Sequence, residues 1–254
     1  MNEIAAIYRD GAHFDRMWGK GYFEFWLDQA RISGGPILEL GCGTGKLSIP
    51  LAEAGFSVTG LDSSSALLEF AASKNSDVRW VEGDMRDFDL GENFALIMLP
   101  SNNLGHLHTP QDFANCIQCA KRHLKPGGVL VIDVFVPNLE RLLSSGRGEY
   151  TLDEYDDPDG RGSVRITARS RYEASTQIVR TTTFRKIAGQ PDVIGSLDLK
   201  MYFPRELEAL VLRAGLCIAD RFGGHAREEF GDESRFQILV CDDPNAAATA
   251  DSRG

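Results

Sequence analysis

Five short and largely apolar runs between residues 36 and 136, alternating with stretches of helical spacing, constrain the fold of this chain more than any other feature. They occupy 36–40, 57–61, 78–81, 94–99 and 129–136. A strand that is apolar on both sides must be covered on both faces, and strands that alternate with helices cover themselves as a parallel, doubly wound α/β sheet. The segments between the runs read as helices over 46–54, ending at Gly55, and over 63–73. A third helix over 112–124 is stopped by a turn at Lys125-Pro126-Gly127-Gly128. Two further helical stretches precede the first strand, within 4–31.

The pattern changes after Pro137. Residues 163–186 are rich in Thr, Val, Ile and Arg and alternate in polarity, which predicts antiparallel strands with one exposed face, joined near 173–176. A further strand is expected within 193–203, then a helix over 204–214 with Pro at its start and Gly215 after it. Closing strands follow over 216–222 and 236–241. The organisation expected is therefore N-terminal helices (1–35) covering the site, a core of 36–136 plus 204–241, and a β-rich insertion at 137–203. The tail, 242–254, lacks large apolar residues and is expected to be disordered.

Composition removes several function classes. Lys and Arg total 27 against 37 Asp and Glu, a net charge of −10, so a phosphate backbone is repelled and nucleic acid is disfavoured as a partner. The arginine-rich segment 137–200 is no exception, with ten basic and ten acidic residues and few aromatics to stack bases. No apolar stretch reaches the length of a membrane span, and the polar N-terminus lacks a signal-peptide core. Five cysteines, an odd number in a chain too long to need staples, point to a reducing, cytoplasmic setting.

The chemistry is carried by loops after three consecutive strands. Glu39-Leu40-Gly41-Cys42-Gly43-Thr44-Gly45 forms a glycine turn where an open parallel sheet binds its ligands, and glycines let the backbone approach closely. Asp62 ends the second strand with a carboxylate suited to ribose hydroxyls. Asp84, followed by Met85, places an acceptor for an adenine amino group beside an apolar wall. A dinucleotide fingerprint needs glycine at position 46, which is Lys46.

ELGCGTG (39–45), GLDSS (60–64), GDMRDF (83–88) and HLKPGGVLVID (123–133) together resemble the class I S-adenosylmethionine-dependent methyltransferases. The resemblance implies a Rossmann-like, mostly parallel seven-stranded sheet with an antiparallel last strand. It also implies S-adenosylmethionine as cofactor. Gly41, Gly43 and Gly45 would pass beneath the methionine end, supported by Glu39, while Asp62 holds the ribose and Asp84 with Met85 borders the adenine. Cys42, Ser63 and Asn102 complete the cofactor set. The segment 101–107 (SNNLGHL), the insertion and MYFPREL (201–207) resemble small-molecule N-methyltransferases, including glycine, sarcosine and sugar-amine enzymes. An aromatic near the N-terminus often covers the cofactor there, and Tyr8 is the residue in that place.

Methyl transfer from a sulfonium is an in-line displacement in which the protein mainly aligns the reacting atoms. A neutral amine needs little more, whereas a hydroxyl or acid benefits from a base, for which His is suited by its pKa. His106, after the fourth strand, is the candidate catalytic residue. His108 reads as more exposed, His123 as a helix-end cation and His225 as a contributor to the acceptor pocket. His13 carries no signal. Cys116 and Cys119 form a CxxC on a helix, without the second pair that metal binding would need. The acidic run 153–159 has the composition of a metal site but, beside Pro158 and Gly160, reads rather as a solvated loop, and Asp133 as either a crevice residue or a strand end. Arg165, Arg169 and Arg171 are candidates to meet an acidic substrate group. The expectation is methyl transfer to nitrogen or oxygen of a small-molecule acceptor, with no metal; a homodimer through the insertion is compatible. The alternatives are an NAD-dependent oxidoreductase, a non-catalytic cofactor-binding module, and a methyltransferase acting on protein or RNA.

Overall fold

The computed structural model describes residues 6–17, 22–75, 77–144 and 146–244. Its centre is a seven-stranded sheet in the order β11-β12-β5-β4-β1-β2-β3. The parallel part comprises β1 (Ile37–Leu40), β2 (Val58–Asp62), β3 (Arg79–Glu82), β4 (Phe94–Leu99) and β5 (Leu124–Phe135). The hairpin of β11 (Cys217–Phe222) and β12 (Phe236–Asp242) closes it, with β12 antiparallel to β5. This is the mixed, Rossmann-like sheet that the sequence implies.

Side chains alternate between two cores because successive strand residues face opposite ways. Leu38, Leu40, Ile97, Leu99 and Ile132 pack against α5 (Pro110–Arg122) and α7 (Pro204–Arg213) through Phe113, Ile117, Leu207 and Val211. Their neighbours Ile37, Leu96, Met98 and Val131 face α2 (Phe23–Ser33) and α3 (Ser48–Glu53), where Phe25, Trp26, Ala30 and Leu51 fill the opposite core. Strand starts and helix ends carry matching local signals. Thr109 and Asp112 cap α5 reciprocally, with Pro110 in the first turn, a device worth about 1 kcal/mol. Ser64 caps α4 (Ser65–Lys74) by accepting from Leu67 N.

A second, antiparallel sheet follows: β6 (Tyr150–Asp156), β7 (Ser163–Glu173), β8 (Ile178–Ile187) and β10 (Leu199–Lys200), with β9 (Val193–Ser196) also on β8. A short helix, α6 (Leu139–Leu143), leads into it. The N-terminal 3-10 turn (Ala6–Tyr8) and α1 (Gly11–Arg16) lie between this sheet and the core. Met17, Phe14 and Ile7 pack on Val164 and Ile166 from one side, and Gly11 abuts Phe70 of α4 on the other. No helix among the described residues is long and apolar enough to cross a membrane.

Three sequence expectations change. The acidic run 153–159 is not a solvated loop: most of it is strand β6, and Asp157 is 6% exposed. Carboxylates are tolerated there because β6 is an edge strand whose charges meet arginines, Arg165 on Glu154 and Arg161 on Asp157. Lys125-Pro126-Gly127-Gly128 does not interrupt the chain between helix and strand but forms a register shift inside β5. The first residue assigned to the expected tail, Asp242, is the last of β12, and residues 245–254 lie outside the described residues.

Candidate active site

β1 and β2 lie side by side in parallel register and end together, delivering the glycine turn and Asp62 to one edge of the sheet. Gly41 and Gly45 have φ of +75° and +77°. A Cβ on Gly41 would stand 2.5 Å from Asn103 Nδ2, and one on Gly45 2.5 Å from Trp80 Cη2, so both positions need glycine for conformation and for space. The turn is anchored to β2 from two directions. Gly41 N and Cys42 N donate to the Leu61 carbonyl, and Gly43 N donates to Asp62 Oδ2 at 2.8 Å.

Asp62 Oδ1 accepts a second backbone hydrogen from Ser64 N, also at 2.8 Å. Burial raises its carboxyl above the usual range, against the pull of these backbone hydrogens. Glu39, 3% exposed at the heart of β1, accepts from Ser48 Oγ at 2.5 Å. Burial pushes its carboxyl up to about 8, opposed by the Ser48 hydrogen bonds and reinforced by the charge of Asp62. Cys42 is buried between them, and desolvation raises its thiol well above its ordinary value. It is a packing residue in the turn, not an ionised one.

A chain of hydrogen bonds leads from Asp62 to the candidate histidine. Ser64, whose N–H binds Asp62, donates its hydroxyl to the Tyr8 carbonyl at 2.6 Å. The Tyr8 hydroxyl lies 3.1 Å from His106 Nε2, and the two rings meet edge to face at 5.6 Å. Burial, with the charge of Asp62, raises the Tyr8 phenol, so it stays protonated. Burial and the neighbouring His108 lower His106 to about 4. At neutral pH the pair is therefore an uncharged phenol and an uncharged imidazole.

Asp84 and Met85 also stand at the sheet edge. Arg86 grips the Asp84 carboxylate through Nε and Nη2 and reaches Asp112 with Nη1 at 2.9 Å. The guanidinium holds Asp84 below the usual carboxylate range. Met85 packs on the core below it. Ser63 is exposed beside Asp62. Asn102 faces β5: its Oδ1 accepts from Phe135 N at 3.3 Å, and its Nδ2 is buried with no partner among the described residues.

Residues that the sequence did not single out complete the site. Asn103 donates Nδ2 to the carbonyls of Leu40 and Gly41, at 3.0 and 2.9 Å, and so ties the loop after β4 to the glycine turn. Phe14 lies over Gly43, where an added Cβ would stand 3.0 Å from its Cε1. Thr44 Oγ1 donates to Asp15 Oδ1 at 2.7 Å, and Lys46 donates to the Met17 carbonyl, which pins α1 to the turn. The doublet Asn102-Asn103 after an apolar strand was the available signal; the contacts of Phe14 and Asp15 come from distant chain and had none.

The other candidates separate into structural roles. His123 accepts from Leu90 N at 3.0 Å through Nε2 and donates Nδ1 to the Cys119 carbonyl, an arrangement of one donor and one acceptor that replaces the expected helix-end cation. His108 is half-buried, with Nε2 2.9 Å from the Asp198 carbonyl. Arg165 and Arg169 pair with Glu154 and Glu149, so these two guanidiniums bind the protein's own carboxylates. His13, without signal in sequence, is 4% exposed and bonds Tyr155 Oη at 3.1 Å. With Asp157 and Asp159 it forms a cluster of metal-ligating type, but Arg161 occupies both carboxylates. Cys116 and Cys119 are buried in α5 as free thiols, and Cys119 donates to the Arg86 carbonyl.

A family model described as a methyltransferase domain matches residues 37–128, the stretch that carries the turn, Asp62 and Asp84. The cypemycin N-terminal methyltransferase of Streptomyces sp is 35% identical over 225 residues, covering 85% of this chain and 86% of that one. The chain belongs to the S-adenosylmethionine-dependent methyltransferases. The solved structure of the CcbJ methyltransferase from Streptomyces caelestis superposes with a TM-score of 0.81 at 25% identity, over 93% of this chain and 97% of that one. A dTDP-3-amino-3,6-dideoxy-alpha-D-glucopyranose N,N-dimethyltransferase from Streptomyces fradiae is 31% identical over 52% of each chain. For this relative and one other, the chain spans only about half of the curated protein's length, 52% and 46%. Family membership answers the dinucleotide alternative, and the structure agrees: the position that a dinucleotide fingerprint reserves for glycine holds Lys46, tethered to α1.

Proposed function

We propose that this methyltransferase transfers the methyl group of S-adenosylmethionine to nitrogen or oxygen of a small-molecule acceptor, with nitrogen the better supported. The residues fit the cofactor. A glycine-rich turn, a half-buried carboxylate at Asp62 and the unpartnered Nδ2 of Asn102 are the groups that a nucleoside with a charged amino-acid tail requires. Asp62 would hold the ribose hydroxyls, Glu39 would support the methionine end, and Met85 with Asp84 would border the adenine. Tyr8 and Phe14 would cover the bound nucleoside, and the second sheet, packed on Phe14 through Val164 and Ile166, would act as the lid. When bound, the cofactor supplies a methyl group already activated on sulfur.

What the chain must then do is bind, orient and exclude water. The observation that carries the reading is the continuous bond chain Asp62–Ser64–Tyr8–His106, which joins the ribose carboxylate to the acceptor-side histidine. It fixes the imidazole against the cofactor site at a distance that one side chain sets. Alignment of this kind supplies up to about 7–11 kcal/mol of rate enhancement in favourable cases. In the tautomer that donates Nε2–H to the Tyr8 hydroxyl, His106, uncharged at neutral pH, keeps Nδ1 to accept a hydrogen from the substrate. An amine fits this weakly basic, desolvated group better than a phenol or acid, which would need a stronger base. Relatives named for N-terminal, sugar-amine and glycine N-methylation point the same way.

The test is turnover. Incubation with S-adenosylmethionine and separate panels of amines, phenols and carboxylic acids, followed by quantitation of S-adenosylhomocysteine, should show product with amines above the other panels. Turnover confined to carboxylic acids, or to carbon nucleophiles, would refute the assignment.

A further inference from the structure

The loop between β11 and β12 places a second histidine at the same edge of the sheet. The His225 side chain is 5% exposed, and its Nε2 lies 3.0 Å from Asp133 Oδ2. Asp133, near the end of β5, is 3% exposed. Its carboxylate and its carbonyl also accept Ser101 N and Asn102 N, at 3.3 and 3.0 Å. The next residue, Asn103, binds the glycine turn. His225 is thus connected to the cofactor loop through one carboxylate and one turn of chain.

A carboxylate oxygen only accepts, so Nε2 carries a ring hydrogen, and in the neutral ring Nδ1 keeps its lone pair. Nδ1 is buried and has no partner among the described residues. Buried polar atoms are ordinarily paired, and an orphan acceptor on a cavity wall marks the place of a donor from outside. The cavity that His225 lines measures about 1050 Å³. Its floor is aromatic: Tyr22 stacks on the imidazole at 3.7 Å with 4° between planes, and Phe25 and Phe236 present edges at 5.5 and 4.5 Å. Its rim is acidic, with Glu24, Glu228, Glu229, Asp232 and Glu233 against Arg235 among the described lining residues.

We propose that this cavity receives the methyl acceptor, that the acceptor is an amine with an apolar body and no phosphate that binds as its ammonium ion, and that an N–H of it donates to His225 Nδ1. The ammonium proton leaves to solvent before the neutral amine attacks the methyl group and S-adenosylhomocysteine departs. Clustered carboxylates and aromatic faces attract an ammonium ion, and the same carboxylates repel a phosphate ester or diphosphate. The proposal rests on the methyltransferase reading and narrows it: nucleotide-linked amino sugars, for which some relatives are named, are excluded by charge.

The experiment is calorimetric titration at low ionic strength with 2-phenylethylamine and with O-phosphotyramine, each run with and without saturating S-adenosylhomocysteine. The expected result is measurable binding of 2-phenylethylamine and at least tenfold weaker binding of O-phosphotyramine. His225→Ala should weaken the amine at least tenfold and leave S-adenosylhomocysteine affinity within threefold. Because that change also leaves Asp133 buried without its partner, the rim variant E229Q/E233Q, altered only at exposed positions, provides the second arm. It should weaken 2-phenylethylamine severalfold and flatten its salt dependence. The proposal is overturned if 2-phenylethylamine does not bind, if O-phosphotyramine binds as well or better, or if the rim variant changes nothing. Failure of S-adenosylhomocysteine alone would instead remove the cofactor reading, with the amine result still standing.

Discussion

Replacing Asp62 by Asn separates the two duties assigned to one carboxylate. In the fold its two oxygens accept Gly43 N and Ser64 N, both at 2.8 Å. An Asn side chain has one oxygen, so one of these N–H groups would face an amide donor. Losing a hydrogen bond to a charged group costs about 1.5–3 kcal/mol, and a buried unsatisfied donor costs about 1–3 kcal/mol. Those losses overlap, and a total near 2–4 kcal/mol is expected; in a domain of this size each kcal/mol lowers Tm by about 2–4 °C, so the fall should be about 4–16 °C. The ribose adds a separate loss. Each hydroxyl bond to the carboxylate is worth about 1.5–3 kcal/mol, equivalent to about 10- to 150-fold in Kd. Thermal denaturation and calorimetric titration with S-adenosylhomocysteine, below the variant's Tm, read the two effects independently. A fall in Tm with Kd within threefold of the native protein would refute the ribose assignment and leave Asp62 as a brace for the glycine turn.

Other perturbations test other parts of the site. Glu39, pushed up to about 8 from an ordinary 4.5, binds its proton more tightly in the folded chain than in the unfolded one. Its contribution is therefore fully present below about pH 4.5 and lost as pH rises through about 8. Urea midpoints should fall between pH 5.5 and 8, and Glu39→Gln should remove that part of the slope; parallel profiles for the two proteins would contradict the buried-acid account. Gly45→Ala combines a positive φ with a 2.5 Å approach to Trp80, and strain plus overpacking should destabilise by about 2–5 kcal/mol. Gly55→Ala, at φ +94° with open space around it, carries the strain alone, about 1–2 kcal/mol, and equal losses at the two sites would show that the Trp80 contact is unimportant. His106→Ala should lower kcat at least tenfold and leave S-adenosylhomocysteine affinity within threefold; unchanged turnover would remove His106 from the acceptor side.

The parallel sheet was legible because strands covered on both faces must be apolar throughout, and 36–40, 94–99 and 129–136 announce this without any knowledge of partners. The places of Gly41, Gly45 and Asp62 were legible for a related reason: they are local, set by a turn at a strand end. β6 was not, since an edge strand with a solvated face can carry DEYDD and still pair with β7. The role of His13 was equally invisible, because Tyr155 and Asp157 reach it from 140 or so residues away. His123 illustrates a subtler gap. Its place at a helix end favours a cation, but the incoming Leu90 N–H claims Nε2 and requires a lone pair there. Asn103 and Phe14 matter through the backbone of the glycine turn, a contact that no spacing along the chain encodes.

The central claim is that the glycine turn and Asp62 hold S-adenosylmethionine and not a dinucleotide. Calorimetric titration of the purified protein with S-adenosylmethionine, S-adenosylhomocysteine and NAD, in parallel, tests it most directly. The account predicts saturable binding of both sulfur nucleosides at one site per chain and no heat from NAD. Binding of NAD without either sulfur nucleoside would contradict it.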